Sequence, residues 1–186
     1  MPKLNARPRD MRFVPHEVLD APSLWARLAA LAETADGDTA DALPEVAARV
    51  AGQLIAPINR SSDEGGGQWQ DGVATTPAGF KQADATYLEG GRVGLSGDRN
   101  YRGMGRPRML AVQLEEILNG AGSSFPLYEA LSSGACLVTD AHASEKLEFS
   151  YLPLMYEGCC AGSMCLTIWP RWVCSGGTPI NVASTL

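Results

Sequence analysis

Between Asp38 and Arg60 the apolar positions Leu43, Val46, Ala47, Val50, Leu54 and Ile58 recur three and four residues apart, the spacing of one helix face. Asp38 or Asp41 offers a cap, and Pro44 suits a first turn. The run SSDEGGG ends this helix, because consecutive glycines have no helix propensity. An earlier helix is predicted from His16 to about Ala32, with Leu19, Leu24, Leu28 and Leu31 on its face. The segment TTPAGFKQADATYLEGG predicts a shorter helix opened by Pro77 and closed by Gly90 and Gly91. GLSGDRNYRGMGRP then reads as a glycine-rich connector. Three further helices follow: Pro107 to about Asn119, a Ser123 or Ser124 cap to about Asp140, and a Ser144 cap to Gly158. Only after Gly162 does the texture change. SMCLTIW is short, apolar and β-tolerant, which predicts a strand over 163–167. The expected fold is therefore all-α, a bundle of about five or six helices ending in the start of a strand. A lone strand cannot satisfy its own backbone groups, so this one is expected to be poorly covered.

Composition narrows the partners. Charged residues are 19% of the chain and the formal net charge is -6, which argues against nucleic acid, whose phosphates need clustered Lys and Arg. No window approaches eighteen consecutive apolar residues, so no membrane span is expected. The N-terminal MPKLNARPRDMRF is basic but has no apolar signal-peptide core, which makes the cytoplasm the expected location. The cysteines are Cys136, Cys159, Cys160, Cys165 and Cys174. The adjacent Cys159 and Cys160 raise metal or redox chemistry, but no CxxC pair exists and His16 and His142 are distant. Buried small thiols are the favoured reading.

Candidate chemistry is sparse. Gly97, Gly103 and Gly105 lack the strand–loop–helix context and the lysine of a phosphate loop. Glu115 and Glu116 raise an acid pair or di-iron ligands, but the residue three before His142 is Thr139 rather than a glutamate. A solvated or ion-paired helix face is favoured there. Ser132, Ser133, Gly134 and Ala135 place four small side chains in one turn, which lets another element or a ligand approach closely. Tight helix packing is the favoured reading of the two.

Taken together, GLSGDRNYRGMGRPRMLAVQLEEILNGAGSSF, HASEKLEFSYLPLMYEG and AGSMCLT resemble the N-terminal helical domain of acyl-CoA dehydrogenases. RDMRFVPHEVLDA and GVATTPAGFKQADATYLEGG are similar to a longer bacterial subgroup that includes methylmercaptopropionyl-CoA dehydrogenases, so the resemblance covers about residues 9 to 167. It implies a helical N-terminal domain, a β-domain and a C-terminal helical domain, with FAD as hydride acceptor. It also implies an acyl-CoA substrate, electron-transferring flavoprotein as partner, and a homo-oligomer. By the same resemblance, Met164, Leu166 and Thr167 match flavin contacts, and Leu127, Ala130, Leu131 and Gly134 match the helix lining the acyl tunnel.

The sequence then departs from the family. After Thr167 the family continues Glu-Pro-x-Ala-Gly-Ser-Asp, whereas this chain has Ile168, Trp169, Pro170 and Arg171. Arg92 and Arg102 stand where the subgroup has a tryptophan and a glycine. The chain divides into an N-terminal extension (1–37), the helical domain (38–160), a first strand of a β-domain (161–167) and a divergent tail (168–186), as a shifted reading frame would give. The β-domain and the catalytic glutamate of the C-terminal domain have no counterpart. Two readings stay open: a fragment of a flavin-dependent acyl-CoA dehydrogenase, inactive alone, and a free-standing helical interaction or regulatory module.

Overall fold

The computed structural model describes residues 6–35, 37–164 and 180–184; for Met164 and residues 180–184 the description is of the backbone. Helix α1 (Pro8–Phe13) runs on into a π-helical turn (Val14–Val18). Asp20 then adopts a left-handed φ of 45°, and α2 (Ala21–Ala26) starts afresh with Pro22 in its first turn. The predicted single helix from His16 to Ala32 is thus broken, and its face is different. Leu24 is 51% exposed, whereas Ala21 and Trp25, one turn apart, are buried. The reversal at Asp20 turns Leu19, Leu24 and Leu28 outward and brings the Ala21–Trp25 pair in, while Leu31 still packs against the core.

The next helical run is continuous but not uniform. It comprises α3 (Gly37–Val50), a π-helical turn (Ala51–Ile55) and α4 (Ala56–Gly65), closed by Gly66 at φ 60°. Pro44 lies inside α3 and is buried, not in the first turn as the sequence suggested, because the helix begins as early as Gly37. The wider π turn keeps Ala51 and Ile55 both in the core. A hairpin follows that the sequence reading missed: β1 (Gln68–Gln70) pairs antiparallel with β2 (Val73–Thr75). Its two-residue turn is Asp71–Gly72, both at positive φ (51° and 83°). Asp-Gly is the sequence signature of such a turn.

Helix α5 (Phe80–Glu89) starts after Gly79 at φ 89°, three residues beyond Pro77. It closes where expected, with the Gly91 amide donating to the Leu88 carbonyl at 2.8 Å. The connector folds back on itself: the amides of Met104, Gly105 and Arg106 donate to the carbonyls of Gly94, Gly97 and Leu95. Helix α6 (Arg108–Ala121) is the centre of the larger core. Its Leu110, Leu114 and Leu118 are one turn apart and buried, and the small Ala40, Ala47 and Ala51 belong to the same core. Phe125 lies edge-on to Phe80 and Tyr87, with centroids 5.6 and 6.1 Å away, so the start of α7 (Pro126–His142) is clamped to α5.

Helix α8 (Glu145–Tyr156) begins after Ser144, whose extended backbone suits a cap although its side chain makes no capping bond. A second, smaller core joins α7 to α8 through Ala135, Cys136, Leu152, Met155 and Tyr156. Strand β3 (Cys160–Met164) starts three residues earlier than predicted, and 165–167 lie outside the described residues. It is not alone. Strand β4 (Ile180–Ser184) pairs with it antiparallel, Cys160 opposite Ser184 and Met164 opposite Ile180. The expectation of an unpartnered strand is corrected on that edge: the ladder satisfies backbone groups that a single strand leaves open. Helices dominate all the same, and among the described residues the strands are confined to the hairpin and to this C-terminal pair. No helix among the described residues is long and apolar enough to cross a membrane.

Candidate functional site

The site predicted from sequence falls on α7 and β3, and these two elements touch. The Gly162 amide donates to Ser132 Oγ at 3.2 Å in a buried setting. A Cβ on Gly162 would come within 2.3 Å of the Ala135 Cβ and 3.1 Å of Met155 Cε. The strand therefore lies flat on the helix. The small-residue turn of α7 serves this contact: Ser132 and Ala135 receive β3, while Gly134 faces open space. The close approach expected from small residues is made by a strand, not by another helix.

Leu127 and Leu131 are exposed, at 62% and 42%, and Ala130 is exposed beside them. With Gly134 they form an apolar face of α7 turned away from its own core. Of the flavin contacts implied by resemblance, Leu166 and Thr167 lie outside the described residues, and Met164 is present as backbone in the β3–β4 ladder. The described residues form one wall and no flavin cradle by themselves: β3 has one edge on β4 and one face on α7. Among the described residues, no three His, Cys, Asp or Glu side chains gather as a metal set.

On the other side of α7 lies a cavity of about 670 Å³, bordered by α5, β2, α8 and β3 as well. Sequence reasoning missed it. Asp84 of α5 and Glu129 of α7 both line it. Burial foremost, then hydrogen bonding to Asp84 and the Asp84 charge, push the Glu129 carboxyl up to about 8. No local motif marks two residues that line one cavity only when α5 and α7 pack.

The other titratable groups are structural. Burial pushes the Cys136 thiol up to about 12, with Asp140 adding to it, so the group is neutral and inert. Cys160 is buried as expected, but Cys159 is exposed, because Gly158 at φ 76° turns the chain outward at the end of α8. Glu115 lies 3.5 Å from Arg108 and Glu116 is exposed, which matches the ion-paired or solvated face. Tyr101 donates to Glu148 at 2.8 Å and Arg102 to Glu157 at 2.6 Å, strapping the connector to the α8 region.

No protein-family model matches the chain. Individual relatives do. Over 162 residues, 86% of its length, the chain is 32% identical to a butyryl-CoA dehydrogenase of Syntrophomonas wolfei, and a second one from that organism matches equally. Over 161 residues it is 30% identical to a 3-methylmercaptopropionyl-CoA dehydrogenase of Ruegeria pomeroyi. The chain is similar to acyl-CoA dehydrogenases over most of its own length. It spans about a quarter of their length, 26–27%. The mostly helical fold is consistent with the N-terminal domain of acyl-CoA dehydrogenases.

Proposed function

We infer that this chain is the N-terminal helical part of an acyl-CoA dehydrogenase. In that reading the exposed face of α7 (Leu127, Ala130, Leu131 and Gly134) lines one side of the acyl tunnel. By the same resemblance, Met164, Leu166 and Thr167 supply flavin contacts. The observation that carries this is the match of 30–32% over 86% of the chain to three acyl-CoA dehydrogenases. The Ser132–Gly162 contact supports it, because it sets the tunnel-facing helix directly against the flavin-facing strand.

The whole enzyme would remove a proton from the α-carbon and a hydride from the β-carbon of an acyl-CoA thioester. FAD supplies the hydride acceptor, and electron-transferring flavoprotein takes the electrons onward. This chain's part is to position: α7 offers an apolar wall that shields the acyl chain from water. General-base chemistry needs a carboxylate within hydrogen-bond reach of the α-proton. Here Glu115 is held by Arg108, and Glu129 lies on the cavity side of α7. In this reading the chain alone is inactive.

A chimera tests the reading. Residues 9–164 replace the matching part of the Ruegeria pomeroyi enzyme, and flavin absorbance and acyl-CoA-dependent dye reduction are measured. The chimera should bind flavin and reduce dye, while the chain by itself does neither. A folded chimera without flavin, or dye reduction by the purified chain alone, would overturn it.

A further inference from the structure

Trp69 of β1 is 75% exposed, on a hairpin whose strand residues are all exposed. A single exposed aromatic needs no explanation by itself. Its position gives it one. Trp69 pairs with Ala74 across the hairpin, and residues directly opposite in an antiparallel pair project from the same face. Ala74 borders the cavity of about 670 Å³, and Thr75 and Thr76 continue that border. We propose that Trp69 is the lid of this cavity: when a neutral apolar molecule enters, the indole folds across Ala74 and covers the mouth. The proposal rests on the hairpin and the cavity, and it holds whether or not the acyl-CoA dehydrogenase reading does.

The walls select the ligand class. Phe80, Phe125 and Met155 are buried, whereas Ala74, Thr75 and Thr76 are exposed, so the cavity runs from the interior to the surface at the hairpin. Its volume falls within the roughly 300–1,000 Å³ usual for small-molecule sites. The buried walls are apolar and match an apolar body. The ionisable side chains on the border are of mixed sign, Lys81 against Asp84 and Glu129, so nothing there selects an anion. Val73, 62% exposed, pairs with Gln70 and projects from the opposite face of the hairpin, so it takes no part.

The hairpin is attached so that it can tilt. On the α4 side, Gly65 and Gly66 have open space where a Cβ would stand, and Gly66 takes a φ of 60°. Backbone rotation there meets no side chain of its own. The Gln68 side chain crosses this attachment with one exposed bond, donating to the Gly65 carbonyl at 2.7 Å, and water replaces such a bond at little cost. On the α5 side, Gly79 at φ 89° is pinned, since a Cβ would lie 2.8 Å from Ile58 Cγ2. One attachment is thus loose and the other fixed. Ala74 carries nothing beyond its Cβ, so an indole passes over β2 unobstructed. Closure removes ring surface and ligand surface from water together, which drives it only when the cavity is filled.

The test uses the full chain and 1-octanol as the neutral apolar probe. With ¹³C-methyl methionine labelling, the Met155 methyl reports occupancy, because Met155 is buried in the cavity wall. Octanol should shift it saturably. In a Trp169→Phe, Trp172→Phe background, the emission that Trp69→Phe removes is that of Trp69. Its quenching by acrylamide should fall about threefold with the same midpoint, since a covered indole is shielded from a water-borne quencher. Trp69→Ala should weaken octanol binding about tenfold. Trp69→Phe keeps an aromatic lid and should stay within about threefold. Val73→Ala, on the other face, should stay within about twofold. Positions 69 and 73 are both exposed, so these variants keep the fold. An unshifted Met155 methyl overturns the proposal. So does octanol binding that leaves Trp69 quenching unchanged, or that is equally tight in Trp69→Ala and wild type.

Discussion

Gly162 sits with its amide on Ser132 Oγ at 3.2 Å, and any Cβ placed on it would lie 2.3 Å from that of Ala135. Strand and helix backbones thus approach as closely as two small residues permit. Gly162→Ala should destabilise the protein by about 1–3 kcal/mol, since the nearest atoms belong to a packed helix face. Ser132→Ala leaves a buried amide without its acceptor and should cost about 1–3 kcal/mol. Urea denaturation followed by far-UV circular dichroism reads both, and wild-type midpoints in both variants would refute the tight junction.

A similar closeness governs the connector. A Cβ on Gly103 would stand 2.2 Å from the carbonyl carbon of Gly97, which is backbone and cannot swing aside. Gly103→Ala should therefore displace the loop, break the Gly105–Gly97 backbone bond and lower the melting temperature by several degrees, for a cost of about 1–3 kcal/mol. Gly134→Ala, at a helical position with open space around it, should be neutral or slightly stabilising. Equal behaviour of the two variants would count against the loop geometry.

The N-terminal helices offer a neighbouring pair with opposite fates. Trp25 is 3% exposed and belongs to the main core, whereas Leu24 next to it is 51% exposed. Trp25→Ala should cost about 3–5 kcal/mol. Leu24→Ser should stay within about 0.5 kcal/mol of wild type. Comparable losses in both would restore the leucine-faced helix that the sequence suggested.

Thiol reactivity should separate the cysteines. With Cys165 and Cys174 replaced by serine, exposed Cys159 should react with a disulfide reagent at pH 8 within minutes. Buried Cys136 should react only on unfolding, because its thiol is pushed up to about 12. The sign for stability follows: the folded state keeps the Cys136 proton longer than the unfolded chain, so this contribution is lost between about 9 and 12 as the pH rises. Reaction of two thiols at equal rates in the native protein would show that the second core is open.

Much of the helical plan was written locally. The stripe Leu110, Leu114 and Leu118 on α6 is legible because one face of one helix carries it. The closing of α5 at Gly90 and Gly91, and the start of α8 after Ser144, are also local: each depends on the conformational preferences of a few adjacent residues. The Asp71–Gly72 hairpin was equally available, since both turn positions have positive φ and the dipeptide is the usual one for it.

Tertiary packing decided the rest. Periodicity says which face of a helix is apolar, but not which apolar face is covered. Leu24 and Leu131 share the helical spacing of core residues and are exposed, while Ala21 and Trp25 are enclosed. The pairing of β3 with β4 joins Cys160 to Ser184 across a span without strand alternation. Asp84 and Glu129 line one cavity because α5 and α7 are clamped through Phe80, Tyr87 and Phe125. Each is a relation between groups distant in sequence, and its free energy depends on the desolvation and geometry of both partners together, which neither segment carries alone.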